Sequence, residues 1–388
     1  MKVGVSLFMQ NYSDWDRFEQ MEKGADAGPA PVRDATIYAE DLHLGRLVEP
    51  LGFDSLWTVE HHFTPYTMIT DPLALLSYFA GCTERIEMGT MVIVLPWHDP
   101  LRVCEGIANL DNMLGGRPLS VGFGRGLGRR EFGALRIPME ESRQRFLESL
   151  EVIRTGLTNE WWSYDGAHYQ IPRTTVRPQP RSSGHDLLER MYCAWGSTQT
   201  IPIAAATGLK ALFIPQTTWV DYAEQIRHFA ELRAGHGFAP ARPTIVCWVY
   251  CAPTEEEARA GATRYLPAYA DSALRHYELA SDHFAATKGY EYYAAASQAI
   301  RDAGDTMDMG AMYINNQVWG TPEQCIDKMG QINELMGPDH FVAVMKYGGM
   351  PLEMAEASMR LFAREVLPAA QELPLAPLAP LAVEAAAH

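Results

Sequence analysis

The sequence predicts a closed parallel barrel of eight strands and eight helices, an α/β (β/α)8 TIM barrel, and three observations carry that prediction. Short apolar runs alternate with longer stretches of helical periodicity along most of the chain, the pattern of parallel strands joined by helical crossovers. Eight such runs can be counted, the number that closes a barrel. The chemically loaded residues cluster just past the ends of the runs, where the loops of a barrel build its site.

In order, the runs are Val3 to Phe8, Ser55 to Glu60, Ile86 to Val94 and Leu119 to Phe123, then Met191 to Ala194, Ala211 to Ile214, Thr244 to Tyr250 and Phe341 to Tyr347. Between them, Ile37 to Pro50 and Ser142 to Arg154 have amphipathic helical spacing. Another helix begins at Thr321-Pro322-Glu323, with Thr as cap and Pro in the first turn.

Two connections are long, so insertions are expected after strands 1 and 7. Asn11 to Ala35 contains Gly24, Gly28, Pro29 and Pro31, and it reads equally well as decoration or as part of a site. Cys251 to Val318, rich in Tyr, Ala and His, is expected to be a lid. Residues 1–370 form one barrel domain in this reading, and 371–388 a disordered tail. From Leu373 onward, proline at every third position blocks a helix.

Hydrophobic residues make up 47% of the 388 residues and charged ones 21%, enough apolar content for a large core. A net charge of −16 argues against nucleic acid and anionic membranes as partners, since both need clustered Lys and Arg. No run approaches the roughly 20 apolar residues of a membrane span, and Met1 to Met9 reads as a strand rather than a signal peptide. A cytoplasmic protein is expected. The six cysteines include no C-x-x-C and read as core thiols rather than as disulfide or zinc ligands.

Four places suit chemistry. The second run ends in Glu60-His61-His62-Phe63, two imidazoles and a carboxylate placed to position or protonate a ligand, or simply to hold a loop. Neighbours on a strand point to opposite faces, and no third ligand is spaced for a metal, so no metal site is expected. The fourth run enters Gly122-Phe123-Gly124-Arg125-Gly126-Leu127-Gly128, whose glycines allow close backbone approach. Arg125, Arg129 and Arg130 there can pair with an anion or with nearby glutamates. After the fifth run, Ser197, Thr198 and Thr200 open a helix as phosphate cradle or plain caps. The third run, Gly89 to Pro96, is apolar throughout and can be core or the platform for a flat ring.

Read together, these segments resemble the luciferase-like flavin monooxygenases, and bacterial luciferase's catalytic subunit in particular. The likeness rests on E-H-H-F at Glu60 to Phe63, G-T-M-V-I-V-L-P at Gly89 to Pro96 and G-R-G-L at Gly124 to Leu127. The stretch from Leu110-Asp111 to Gly116-Arg117, Val318 to Asp327 and Leu361 to Pro368 add to it. The resemblance implies the same barrel, reduced FMN as cofactor with F420 as the alternative, and molecular oxygen as co-substrate. It implies a separate flavin reductase as partner and a homodimer. His61 would be the catalytic histidine, flanked by Glu60 and His62. Arg125, Ser197, Thr198 and Thr200 would hold the flavin's ribityl phosphate, with Gly124 and Leu127 beside them. Met91, Val92 and Ile93 would flank the ring, where the family often has a non-proline cis peptide. Gly124 stands where bacterial luciferase has a reactive cysteine, which argues against light emission.

The expected activity is therefore a two-component monooxygenase that inserts one oxygen atom into an apolar or aromatic small molecule, by hydroxylation, epoxidation or Baeyer–Villiger reaction. Trp57, Phe63, Tyr66, Trp97 and Tyr290 to Tyr293 are candidates for the substrate walls. The alternatives are an F420-dependent hydride transfer on the same fold and a non-catalytic partner subunit.

Overall fold

The computed structural model describes residues 1–195, 198–214, 217–303 and 309–376, and in it the eight expected strands are all present. They are β1 (Lys2–Leu7), β2 (Ser55–Thr58), β3 (Glu87–Val94), β4 (Leu119–Gly124), β5 (Met191–Ala194), β6 (Lys210–Phe213), β7 (Thr244–Cys251) and β8 (His340–Val344). Each pairs in parallel with the next, and β8 pairs with both β7 and β1. The sheet is a closed barrel.

Strands covered on both faces need continuous apolar sequence rather than alternation. β7 shows this, with every residue from Thr244 to Cys251 buried. The helices start where side chains cap them. Asp71 and Asp99 accept backbone N–H groups ahead of Pro72–Ala80 and Pro100–Leu114. Thr218 and Thr321 form full capping boxes with Asp221 and Gln324, each cap contributing about 1 kcal/mol.

Three differences from the sequence reading matter. β2 stops at Thr58, so Glu60, His61 and His62 lie in the loop beyond it and are free of strand alternation. A hairpin of Trp162–Asp165 and Gln170–Thr174 stands between β4 and β5, and Val318–Gly320 adds a short parallel strand beside β7. Segments of three to five residues are too short for a periodicity to declare itself. The chain beyond residue 370 also packs. Leu367–Glu372 is helical with Leu367 and Ala370 buried, Gln371 donates to the Gly52 carbonyl, and Arg242 reaches the Ala376 carbonyl. The rest of the expected tail, residues 377–388, lies outside the described residues.

Both insertions rise from the C-terminal ends of their strands and meet there. The first carries the helix Trp15–Glu22, the second the helices Glu255–Tyr277, Glu291–Ala303 and Met309–Asn316. Trp15 Nε1 donates to Ser272 Oγ at 2.6 Å, and Arg275 pairs with Asp16 at 2.8 Å. A small apolar cluster of Val94, Trp97, Phe132, Met139, Phe284 and Tyr290 joins the second insertion to the loop after β4. Among the described residues, no helix is long and apolar enough to cross a membrane.

Candidate active site

At the C-terminal mouth the strands surround a cleft that encloses about 160 Å³ and opens on one side. Its floor and walls are Met91 and Val92 from β3, Gly124 to Leu127 after β4 and Cys193 to Trp195 from β5. His61, Glu60, Thr200, Arg143, Tyr277 and Tyr293 complete the rim. The Met91–Val92 peptide is cis, and the β3–β4 register shifts between Thr90 and Ile93.

Glu60 is fully buried. Its Oε1 accepts from His62 Nε2 at 3.0 Å and His98 Nε2 at 2.7 Å, and its Oε2 accepts the Val94 N–H at 2.8 Å. Burial alone would raise this carboxyl, but the two imidazoles and the backbone donor outweigh it and hold the group below the ordinary range. Glu60 thus fixes the turn after β2 to the end of β3. His62 packs edge-on against Trp97 and does not line the cleft.

His61 does line it. Its Nδ1 lies 3.1 Å from Glu131 Oε1, and its Nε2 lies 3.3 Å from the Tyr277 hydroxyl. The same Glu131 oxygen accepts the His62 backbone N–H at 2.8 Å. Glu131 Oε2 faces His276 Nε2 at 3.3 Å; this is ion-pair distance but out of line for a hydrogen bond, and neither atom has a hydrogen-bond partner. Burial pushes Glu131 up, yet His276 and His61 facing it bring it down to about 2. Burial pushes His276 below its ordinary value against the pull of Glu131. The Glu131 carboxylate is therefore ionised between two imidazoles. Gly128 makes room for it, since a Cβ there would sit 2.2 Å from Glu131 Oε2.

In the sequence Glu131 reads only as a surface partner for the nearby arginines, and His276 belongs to no motif. They stand 70 and 215 positions from His61 in the chain, and no local pattern links them. Sequence spacing offers the histidines no third metal ligand, but the fold brings ligand atoms of His61, Glu131 and His276 within 4.8 Å of one another. Each carboxylate oxygen faces a different ring nitrogen, which suits a proton network.

The arginines divide. Arg125 borders the cleft, stacks over Tyr290 at 4.2 Å and donates to the Gly289 carbonyl at 2.9 Å. Arg129 and Arg130 instead reach Glu278 and Glu22, partners more than 100 residues away rather than the nearby glutamates. Arg143, not singled out before, lines the cleft and makes no hydrogen bond or ion pair with another described residue. The glycine run also serves packing. A Cβ on Gly124 would lie 2.5 Å from Val92 Cγ2, so this residue lets β4 close on β3.

Of the other expected site residues, Met91, Val92, Gly124, Leu127 and Thr200 border the cleft. Ile93 faces a separate surface cleft with His98 and Arg102, Thr198 is exposed, and Ser197 lies outside the described residues. Among the expected aromatic walls, Trp97 and Tyr293 are present. Trp57 is buried in the barrel against Tyr192 and His340, Tyr66 sits behind His61, and Phe63 points outward, 53% exposed.

Comparison with known proteins agrees with this architecture. The family model of luciferase-like monooxygenases matches residues 22–340. The alkanal monooxygenase alpha chain of Photorhabdus luminescens is 27% identical over 343 residues, 85% of this chain and 91% of that one. The crystal structure of the monooxygenase RslO1 from Streptomyces bottropensis superposes with a TM-score of 0.70 at 26% identity, covering 95% of this chain and 99% of that one. The oxygenating constituent of 3,6-diketocamphane monooxygenase from Pseudomonas putida, a type II Baeyer–Villiger enzyme solved in complex with FMN, shares the fold with a TM-score of 0.71 at 18% identity, covering 97% and 99%. A closed parallel barrel, a cleft at its C-terminal mouth and a family match over most of its length lead to one conclusion: the chain belongs to the luciferase-like monooxygenases.

Proposed function

We propose that this chain is the oxygenase of a two-component system, using reduced FMN from a separate reductase and molecular oxygen to oxygenate an apolar or aromatic small molecule. The observation that carries the reading is His61, backed by the buried Glu131 carboxylate and facing a largely apolar cleft with Arg125 and Arg143 on its rim.

The residues fit a flavin. Met91, Val92 and Leu127 give an apolar surface in a cleft that is partly open to solvent. Arg143, which makes no hydrogen bond or ion pair with another described residue, is a cation available to a phosphate, and Thr200 adds a hydroxyl. Bound reduced flavin supplies two electrons and activates oxygen. The chain supplies the rest. Tyr277 and Tyr293 of the second insertion wall the cleft and shield that side from water, and His61 holds or moves the proton at Nε2 while Glu131 fixes Nδ1. The fold is shared both by an FMN complex and by F420-dependent enzymes; FMN is preferred, with F420 as the alternative, because the family and relatives such as the alkanal monooxygenase alpha chains are monooxygenases. Those relatives make a long-chain aldehyde the first substrate to try. We infer a homodimer and a cytoplasmic setting, where a flavin reductase has its reductant.

The test supplies the purified chain with FMN, NADH and an unrelated flavin reductase under ¹⁸O₂, with decanal and a panel of apolar ketones and aromatics. One labelled oxygen atom per product is expected, and His61→Ala should bind FMN but form no product. Oxygenation by His61→Ala at the wild-type rate contradicts the role given to His61.

A further inference from the structure

We propose that Tyr277 is a further catalytic residue: its hydroxyl, held at His61 Nε2 on the cleft wall, carries the proton between that imidazole and the reacting molecule. The proposal rests on the reading that flavin and substrate meet in this cleft.

It starts from proton placement. An ionised carboxylate only accepts. Glu131 Oε1 faces His61 Nδ1, so the proton in that pair belongs to the ring. A neutral His61 then carries its proton on Nδ1 and leaves Nε2 as an acceptor. The group beside Nε2 is the Tyr277 hydroxyl, 3.3 Å away, which donates to it. His276 stands across the same charge, its Nε2 facing Glu131 Oε2 at 3.3 Å without a hydrogen bond and its Nδ1 2.7 Å from Thr64 Oγ1. The Glu131 charge sets the tautomer of His61 and the direction of the chain Glu131–His61–Tyr277.

The placement of Tyr277 is built into the fold. It is the last residue of the Glu255–Tyr277 helix, and the first three residues of the Arg129–Leu135 helix grip that helix end. Arg129 pairs with Glu278 at 2.9 Å. Arg130 donates to the Arg275 and His276 carbonyls at 2.7 and 3.4 Å, where a cation also suits the helix C-terminus. Glu131 faces the His276 ring. Glu278 leaves the helix at φ +51°, a conformation that side chains disfavour, and the arginine pairing holds it there. Tyr66 stacks on His276 with centroids 4.6 Å apart, closing the far side. The titratable groups facing Tyr277 are His61, His276, Glu131, Tyr66 and Tyr293.

The step balances. A proton leaving the reacting molecule bonds to the Tyr277 oxygen as the phenolic proton passes to His61 Nε2. The imidazolium so formed is faced by the Glu131 carboxylate, and the reverse transfer returns the proton. His276 touches neither cleft nor ligand; it is a positioning residue acting through Glu131.

The test is Tyr277→Phe in the full chain, read in three ways. FMN affinity, from fluorescence quenching, should stay within about 3-fold, because no binding contact is lost. Product per flavin oxidised should fall by about 100-fold or more. In the free protein, ¹⁵N NMR of the ring nitrogens should show His61 Nε2 shifting once its donor is gone, while Nδ1 stays protonated. Wild-type coupling, or an unmoved Nε2 resonance, overturns the proposal. Should the Phe variant fail to fold, 3-fluorotyrosine placed at 277 keeps the shape with a more acidic phenol. Its pH–rate profile should move to lower pH, and an unmoved profile overturns the proposal. If the wild type binds no FMN, the functional reading fails while the NMR result still decides the hydrogen bond. If the wild type and Tyr277→Phe oxygenate equally well, the functional reading stands and this one falls.

Discussion

Glu131 Oε1 lies 3.1 Å from His61 Nδ1 and accepts the His62 backbone N–H at 2.8 Å, so one oxygen fixes both the ring and the backbone that carries it. An amide in its place offers a donor as well as an acceptor and no longer dictates which nitrogen of His61 holds the proton. Glu131→Gln should therefore lower product formation by roughly 100- to 10,000-fold, while FMN affinity changes by less than about 3-fold. Stopped-flow turnover beside a fluorescence titration checks both. A loss of FMN binding equal to the loss of rate would place Glu131 in ligand binding instead.

The same carboxylate links stability to pH. His276 is held below its ordinary value of 6.5 by burial. Below pH 6.5 the unfolded chain takes up a proton there that the folded chain refuses, so this residue's contribution to stability shrinks as pH falls. Glu131 has the same sign lower down. Its depressed value of about 2, against an ordinary 4.5, contributes stability that is present above pH 4.5 and lost towards pH 2. His98 is raised and acts oppositely: burial would lower it, but Glu60 outweighs burial, and its contribution is lost as pH rises above 6.5. The difference in urea midpoint between wild type and His276→Gln isolates the first effect. That difference should shrink from pH 7.5 to pH 5.5, and a constant or growing one contradicts the assignment.

Gly124 of β4 lies against the Val92 side chain of β3, and a Cβ on Gly124 would fall 2.5 Å from Val92 Cγ2. Gly124→Cys should destabilise the barrel by about 1–3 kcal/mol through overpacking. Pairing it with Val92→Ala should recover most of that loss, a coupling visible in a double-mutant cycle of thermal or urea unfolding. Additive costs would show that the two side chains do not meet.

Arg143 borders the cleft and makes no hydrogen bond or ion pair with another described residue. If it meets the cofactor's phosphate, Arg143→Ala should weaken FMN binding by roughly 10- to 100-fold, the scale of a charge-assisted hydrogen bond. Riboflavin, which lacks the phosphate, should bind wild type and variant alike. Equal losses for both ligands would assign Arg143 to folding or to the ring.

How much of this was legible in the sequence follows from how each feature is encoded. All eight barrel strands are short apolar runs, and β7 could be read because both its faces are buried, leaving no polar alternation to confuse it. Glu60-His61-His62 stood out as adjacent residues of chemical interest. Glu131 did not, since one carboxylate beside Arg129 and Arg130 looks like a solvated helix start, and only the packed insertion gives it two imidazoles. His276 and Tyr277 sit within an Ala- and Tyr-rich stretch whose helical spacing says nothing about what its end will face. The arginines misled in the same way: their partners, Glu278 and Glu22, are brought near by the meeting of two insertions, and no local rule anticipates that.

In the proposed function, reduced flavin lies in the cleft against His61. Anaerobic titration of the purified chain with reduced FMN, and separately with reduced F420, while the His61 ring nitrogens are followed by ¹⁵N NMR, tests this most directly. Reduced FMN should bind one per chain and shift the His61 Nε2 resonance, with F420 binding far more weakly. Tight binding of F420 alone, or FMN binding that leaves the His61 resonances where they were, would contradict it.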